Sequence, residues 1–364
     1  MNPMFQNLMS EAARLTRGGD LQGATAAIQQ ALHGSAAPTA ASMPASDADV
    51  IEAEVRVIDE APADEVFSYV EAVEPAQGGA PAAQQWRDGS FAHGGRTLAY
   101  KLYLPPRAAG ATTPMPLVLM LHGCTQNPDD FAAGTRMNAL ARTAGVAVLY
   151  PAQTRPANAQ GCWNWFKPQH QQRGRGEPAL LAALTQSVIA SHAIDPARVY
   201  VAGLSAGGAM ADILGRAYPE LFAAVGVHSG LPTGAANDLM SAMAAMRSGP
   251  GAAPPARGTM PPLIVFHGDA DNTVNVRNGD AVVASTLAGR PGAGQPQQGR
   301  SPAGRAYTRT HHPATDGRHA VEHWLLHGAG HAWSGGSAQG SYTDPAGVDA
   351  SAEMLRFFLA HPKG

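Results

Sequence analysis

Five short runs of unbroken apolar residues limit what this chain can fold into. They are residues 117–121 (LVLML), 146–150 (VAVLY), 199–202 (VYVA), 223–227 (AAVGV) and 263–266 (LIVF). A strand with one wetted face alternates polar and apolar residues, whereas an unbroken run has to be covered on both sides. Between and after the runs lie stretches with helical character at 131–143, 178–193, 206–218 and 278–287, and a last one near 351–359. Strand, helix, strand, repeated, predicts an α/β domain with a mostly parallel central sheet and helices on both faces. Upstream, Leu98, Tyr100, Leu102 and Leu104 alternate with Ala99, Lys101 and Tyr103. Gly94-Gly95 separates that segment from 91–93, the pattern of an antiparallel entry hairpin. Residues 321–326 (VEHWLL) read as a last strand.

The α/β body so defined takes in residues 86–364. Ahead of it, Met4, Leu8, Ala12 and Leu15 repeat at helical spacing, Gly18-Gly19 breaks the pattern, and Asp20 can cap a second helix with Leu21, Ala24, Ile28 and Leu32. Residues 1–33 are therefore expected to form a helical hairpin. Such a hairpin buries little alone and is expected to self-associate or dock on the body. Residues 34–85 read as an Ala/Pro-rich and acidic linker. Within it, residues 47–74 hold ten acids and one base, Arg56, while residues 75–364 hold 22 bases and 16 acids. The net charge of −3 thus splits into an acidic leader and a mildly basic body. No concentrated basic field is left to attract nucleic acid. No run of 18 apolar residues exists, so no membrane span is expected. Residues 1–14 lack the basic and apolar regions of a secretory signal, so none is expected. Two cysteines, Cys124 and Cys162, are too few for a disulfide scaffold and enough for one bridge in an oxidising compartment.

Ligands of open parallel sheets sit at the carboxyl ends of the strands, so the residues after each run carry the chemistry. Residues 198–202 run straight into Gly203-Leu204-Ser205-Ala206-Gly207-Gly208, a G-x-S-x-G between a predicted strand and a predicted helix. A serine at so tight a turn needs neighbours without a Cβ on either side, and Gly203 and Gly207 supply them. Its hydroxyl then projects as a nucleophile, and the Ala206 N–H points to where an oxyanion would form. Serine needs a base, oriented by an acid. Run 263–266 leads into His267-Gly268-Asp269-Ala270-Asp271, where Asp271 is the expected acid and Asp269 the expected turn stabiliser. Run 321–326 leads to His327-Gly328-Ala329-Gly330-His331. His331, in a glycine-flanked loop, is the expected base, and His323 and His327 are expected to be structural. His327 and His331 imitate metal-ligand spacing, but with no helix and no third ligand nearby, no metal is expected. Run 117–121 ends in His122-Gly123-Cys124, and the Cys124 N–H is the expected second oxyanion donor. Trp163 and Trp165 are expected to form an aromatic wall of the substrate cleft, with Gln126 lining it.

Taken together, residues 122–124, 161–166 (GCWNWF), 195–210, 267–271 and 330–333 (GHAW) resemble the polyhydroxybutyrate depolymerase family of esterases, which is itself similar to feruloyl and acetylxylan esterases. The likeness runs over about 86–362, with its blocks in the family's order. It implies an α/β-hydrolase fold, a triad Ser205–Asp271–His331, and oxyanion donors at Ala206 and Cys124. It also implies a Cys124–Cys162 disulfide beside the hole and an extracellular setting, against which the missing signal leaves a cytoplasmic one open; a serine mechanism needs no cofactor. The expected activity is serine-dependent hydrolysis of carboxylic esters. Polyhydroxyalkanoate or 3-hydroxybutyrate oligomers are the first expectation, feruloyl, acetylxylan or short-chain esters the second, and a non-catalytic binding protein on a hydrolase body the third. The family's polymer-degrading members often carry a separate substrate-binding module after the catalytic domain. The chain closes soon after its last helix, so amorphous polymer, oligomers and soluble esters are expected over crystalline polymer.

Overall fold

The structure, a computed structural model, describes residues 83–108, 110–251, 260–287, 294–314 and 320–364. The hairpin expected at 1–33 and nearly all of the linker at 34–85 lie outside the described residues. The described chain opens with β1 (Gln85–His93) and β2 (Arg96–Leu104), paired antiparallel around Gly94-Gly95. Both glycines have positive φ, 57° and 73°, the conformation a two-residue hairpin turn requires. Then follow β3 (Met115–Leu121), α1 (Pro128–Thr135), α2 (Met137–Ala144), β4 (Ala147–Pro151), α3 (Gly176–Ser191), β5 (Ile194–Leu204), α4 (Ala206–Ala217) and β6 (Ala224–His228). The remainder is α5 (Leu239–Ser248), β7 (Leu263–Gly268), α6 (Arg277–Leu287), β8 (Gln295–Arg300), β9 (Ala306–His312), β10 (Val321–Leu326), the short β11 (Trp333–Ser334) and β12 (Thr343–Asp344), and α7 (Ala350–Leu359).

Ten strands form one sheet in the order β1-β2-β4-β3-β5-β6-β7-β10-β9-β8. The six from β4 to β10 in that order run parallel, and antiparallel pairs close both edges. Each of the five unbroken runs lies in a central strand. Their alternate side chains feed two cores: Leu117, Leu119, Val201 and Val265 on one face, and Val118, Met120, Tyr200 and Ile264 on the other. Helices α3 and α4 cover the first face, and α1, α2 and α7 the second. Two features differ from the sequence expectation. The single helix expected at 131–143 is split, because Arg136 takes φ 56° and ends α1. The far edge is also antiparallel. Strand β8 is almost wholly polar and exposed, so no apolar periodicity marks it.

The tightest packing in the sheet lies where β3, β5 and the start of α4 meet. A Cβ on Gly207 would stand 2.0 Å from the Leu121 carbonyl oxygen, and one on Gly203 would stand 2.4 Å from the backbone of Gly207. Both obstacles are main chain and cannot swing aside. Gly207→Ala is therefore expected to cost at least about 3 kcal/mol, at the upper end of overpacking penalties. Urea denaturation checks this, and an alanine tolerated within about 1 kcal/mol would contradict the packing described.

Candidate active site

The candidate site is built from turns at the carboxyl ends of four parallel strands. Ser205 follows β5 directly and has φ 58° and ψ −119°, a backbone conformation that costs an L-residue energy and is kept only where its surroundings force it. Here the Ser205 N–H donates to the His228 carbonyl at 2.9 Å, and the Ser205 carbonyl accepts from Ala209 N–H at 2.9 Å, which starts α4. Ala206 is the first residue of α4, so its N–H is one of the helix's free amino-terminal donors.

The loop after β3 lies against this turn. A Cβ on Gly123 would come within 3.6 Å of the Ser205 Cβ, which brings Cys124 beside the serine turn. Five ties fix the loop. Cys124 is disulfide-bonded to Cys162. Thr125 N–H donates to Gln160 O at 2.8 Å. Gln126 Oε1 accepts from Gly123 N–H at 2.9 Å. Gln126 Nε2 donates to Asp130 Oδ2 at 3.0 Å and to Ser341 O at 3.1 Å. Gln126 is buried, so it braces the loop from within instead of lining a cleft.

Asp271 and His331 are brought together. The imidazole Nδ1 lies 2.7 Å from Asp271 Oδ2, and Asp271 Oδ1 accepts from the N–H groups of Thr273 and Val274 at 2.9 and 2.8 Å. Burial pulls the Asp271 carboxyl upward. Its bond to His331, the Val274 N–H and the nearby His267 outweigh that and hold it below its ordinary value. The carboxylate therefore stays ionised and fixes Nδ1 as the protonated nitrogen, leaving Nε2 as the basic one.

Asp269 makes a second pair. Its Oδ2 lies 2.8 Å from His327 Nδ1, and its Oδ1 accepts from Gly328 N–H at 2.7 Å. The two pairs differ in exposure: the side chains are 38% and 37% exposed for His327 and Asp269, against 10% and 0% for His331 and Asp271. Only the buried pair works in low dielectric, where a carboxylate orients and stabilises an imidazolium most.

The tryptophans expected to wall the cleft are packed inside. Trp163 is 0% exposed, and its Nε1 donates to the His122 carbonyl at 3.1 Å, bracing the start of the Cys124 loop. Trp165 is 5% exposed and meets Phe166 edge-on. Both belong to the apolar core on that face of the sheet, which is ordinary packing. Sequence reasoning passed over His228, one residue beyond a run. It is fully buried, its Nε2 accepts from Ser334 N–H at 3.0 Å, and its ring stacks on Phe266 and Trp333. Its place at a strand end was the available signal. Among the described residues no cluster of three or more His, Cys, Asp or Glu could hold a metal ion.

The family model described as esterase PHB depolymerase matches residues 98–291, a span that holds Ser205 and Asp271 and ends before His331. Poly(3-hydroxyalkanoate) depolymerase C of Paucimonas lemoignei is 35% identical over 187 residues, 48% of this chain and 45% of that protein. Feruloyl esterase B of Neurospora crassa is 32% identical over 130 residues, 35% of this chain and 42% of that protein. The chain thus spans less than half the length of these relatives. An acetyl xylan esterase from Aspergillus awamori superposes with a TM-score of 0.56 at 20% identity, over 72% of this chain and 93% of that one, a likeness of fold.

Two outcomes follow from the geometry. Asp271→Asn is expected to lower the turnover of an ester by about 10³- to 10⁴-fold, and Asp269→Asn by less than about tenfold, since an exposed pair contributes little. Equal losses would contradict the assignment by burial. The second outcome concerns pH. Burial, with His267 and His331 nearby, pushes His228 from 6.5 down to about 3, and burial lowers His122 and His267 as well. The folded chain then binds fewer protons than the unfolded one below about pH 6.5, so this stability is complete above that pH and is lost as pH falls toward the folded value. Melting temperature is expected to be level above pH 7 and to drop between pH ~6.5 and ~4.5, ahead of most carboxylates. Melts at constant ionic strength check this, and a level Tm to pH ~4.5 would count against it.

Proposed function

The chain belongs to the polyhydroxybutyrate depolymerase family of esterases, and from that premise we propose that it hydrolyses carboxylic esters through an acyl-serine intermediate on Ser205. The observation that carries the reading is the pairing of a positive-φ serine turn with a buried Asp271–His331 couple, all past the carboxyl ends of central parallel strands. In the proposed reaction the Ser205 hydroxyl attacks the ester carbonyl while His331 Nε2 takes its proton. Asp271 holds the imidazole and stabilises the imidazolium. The N–H groups of Ala206 and Cys124 receive the oxyanion of the tetrahedral intermediate. Collapse expels the alcohol, which leaves with the proton returned by His331. Water then adds to the acyl-serine by the same route and releases the acid. Every proton and electron pair is accounted for by these groups and the two reactants.

Polyhydroxyalkanoate or 3-hydroxybutyrate esters are the first substrate class proposed, on the likeness to the depolymerase of Paucimonas lemoignei. Feruloyl or acetylated sugar esters are the second, on the likeness to feruloyl esterase B. The test is labelling by a fluorophosphonate together with p-nitrophenyl butyrate hydrolysis, in the wild type and in Ser205→Ala. The wild type is expected to label and turn over, and the variant to lose labelling and at least about 10³-fold of the rate. A wild type that neither labels nor hydrolyses defeats the reading. A panel of amorphous poly(3-hydroxybutyrate), its oligomers and feruloyl sugars then separates the two substrate classes.

A further inference from the structure

Both tryptophans near the site are packed inside, which leaves open what an ester chain would lie against beyond its reacting carbonyl. One aromatic side chain at this end of the sheet behaves differently. Tyr342 is 46% exposed, and its backbone has φ 52°, a left-handed value that a bulky non-glycine residue rarely takes.

The surroundings of Tyr342 explain how that conformation is kept. On one side, Ser341 N–H and Oγ donate to the two carboxylate oxygens of Asp130 at 2.8 and 2.6 Å, and the Ser341 carbonyl accepts from Gln126 Nε2. On the other side, Thr343 opens β12, in register with Trp333 of β11. The Tyr342 carbonyl accepts from Trp333 N–H at 2.7 Å, and Trp333 stands two residues after His331. With both neighbours fixed, residue 342 has only a narrow choice of backbone angles, and its side chain is turned outward.

The phenol is aimed as well as exposed. Its hydroxyl lies 3.2 Å from Thr125 Oγ1. Thr125 Oγ1 already donates to the Cys124 carbonyl at 2.6 Å, so Tyr342 is the donor to Thr125. Thr125 itself has φ 66°. Two positive-φ residues from opposite sides of the site thus meet through their side chains. One adjoins the Cys124 amide, and the other is tied to the strand that follows His331. Strain of this kind gathers where a constellation has to be held open to a ligand.

We infer that Tyr342 is a substrate-contacting, specificity-determining residue. Its ring forms a wall for the aliphatic chain of an ester whose carbonyl lies at Ser205, and the bond to Thr125 sets the ring's position. The inference rests on the serine-esterase reading of the site. It assigns to Tyr342 the role that the sequence suggested for Trp163 and Trp165.

The test compares p-nitrophenyl octanoate with p-nitrophenyl acetate on the full chain, because only the longer ester reaches a wall away from the reacting carbon. Tyr342→Ala is expected to lower the octanoate-to-acetate ratio of kcat/KM by about tenfold, with the loss falling on KM for the octanoate. Tyr342→Phe keeps the ring and is expected to hold the ratio within about threefold of the wild type. Tyr342→Gly is expected to lose the ratio as the alanine variant does while melting no lower than it, since glycine takes φ 52° freely. A ratio within about twofold of the wild type in both the Ala and Gly variants overturns the inference. So does an equal fall in kcat for both esters, which would assign Tyr342 to holding the Cys124 loop. A wild type inactive on both esters and unlabelled by a fluorophosphonate overturns the esterase reading and this inference together. An active wild type with unaltered variants overturns the inference alone.

Discussion

The closeness of three backbones, at the end of β3, the end of β5 and the start of α4, is the constraint on which the site depends. With no Cβ at residues 203 and 207, the Leu121 and His122 carbonyls stand directly against the first turn of α4. That approach fixes Ser205 in its rare conformation and sets the Cys124 loop beside it. A strand–helix junction with ordinary side chains at 203 and 207 would be wider. In the proposed reaction the serine and two amides meet at one carbonyl, and electrostatic stabilisation of that kind needs a junction this narrow.

The layer beneath ties the serine side of the site to the histidine side. His228 contributes twice: its carbonyl takes the Ser205 N–H, and its ring takes the Ser334 N–H just beyond His331. Its ring can accept only while it lacks a proton on that nitrogen, which deep burial ensures. His267 is handled in the same way. Its Nε2 donates to the Val274 carbonyl at 2.8 Å, which helps to shape the turn whose amides hold Asp271. These imidazoles act as neutral hydrogen-bonding fixtures.

Much of this was legible in the sequence, and the reasons are physical. Unbroken apolar runs mark strands buried on both faces, so the parallel block from β4 to β10 could be read directly. The serine turn was legible because steric need leaves a glycine signature. The choice of Asp271 over Asp269 agrees with the burial that separates the two Asp–His pairs. The illegible parts have causes too. Strand β8 pairs along an exposed edge, where no core selects for apolar residues. The inward packing of Trp163 follows from its bond to the His122 carbonyl, a contact between residues 41 positions apart that no local pattern encodes. Gln126 looked like a cleft residue because it adjoins Cys124. Its amide is instead taken up by Gly123, Asp130 and Ser341, and the last of these lies 215 residues away.

The Cys124–Cys162 bridge makes the loop that carries the proposed second oxyanion donor covalently continuous with the segment after β4. A loop tied in this way is preorganised: on the proposed reading, an ester would meet the amide already in place and spend no binding energy on assembling it. The same economy makes the arrangement answerable to redox poise. In a reducing medium the loop would rely on Gln126, Thr125 and Tyr342 alone, and the entropy of ordering it would fall on whatever the loop binds.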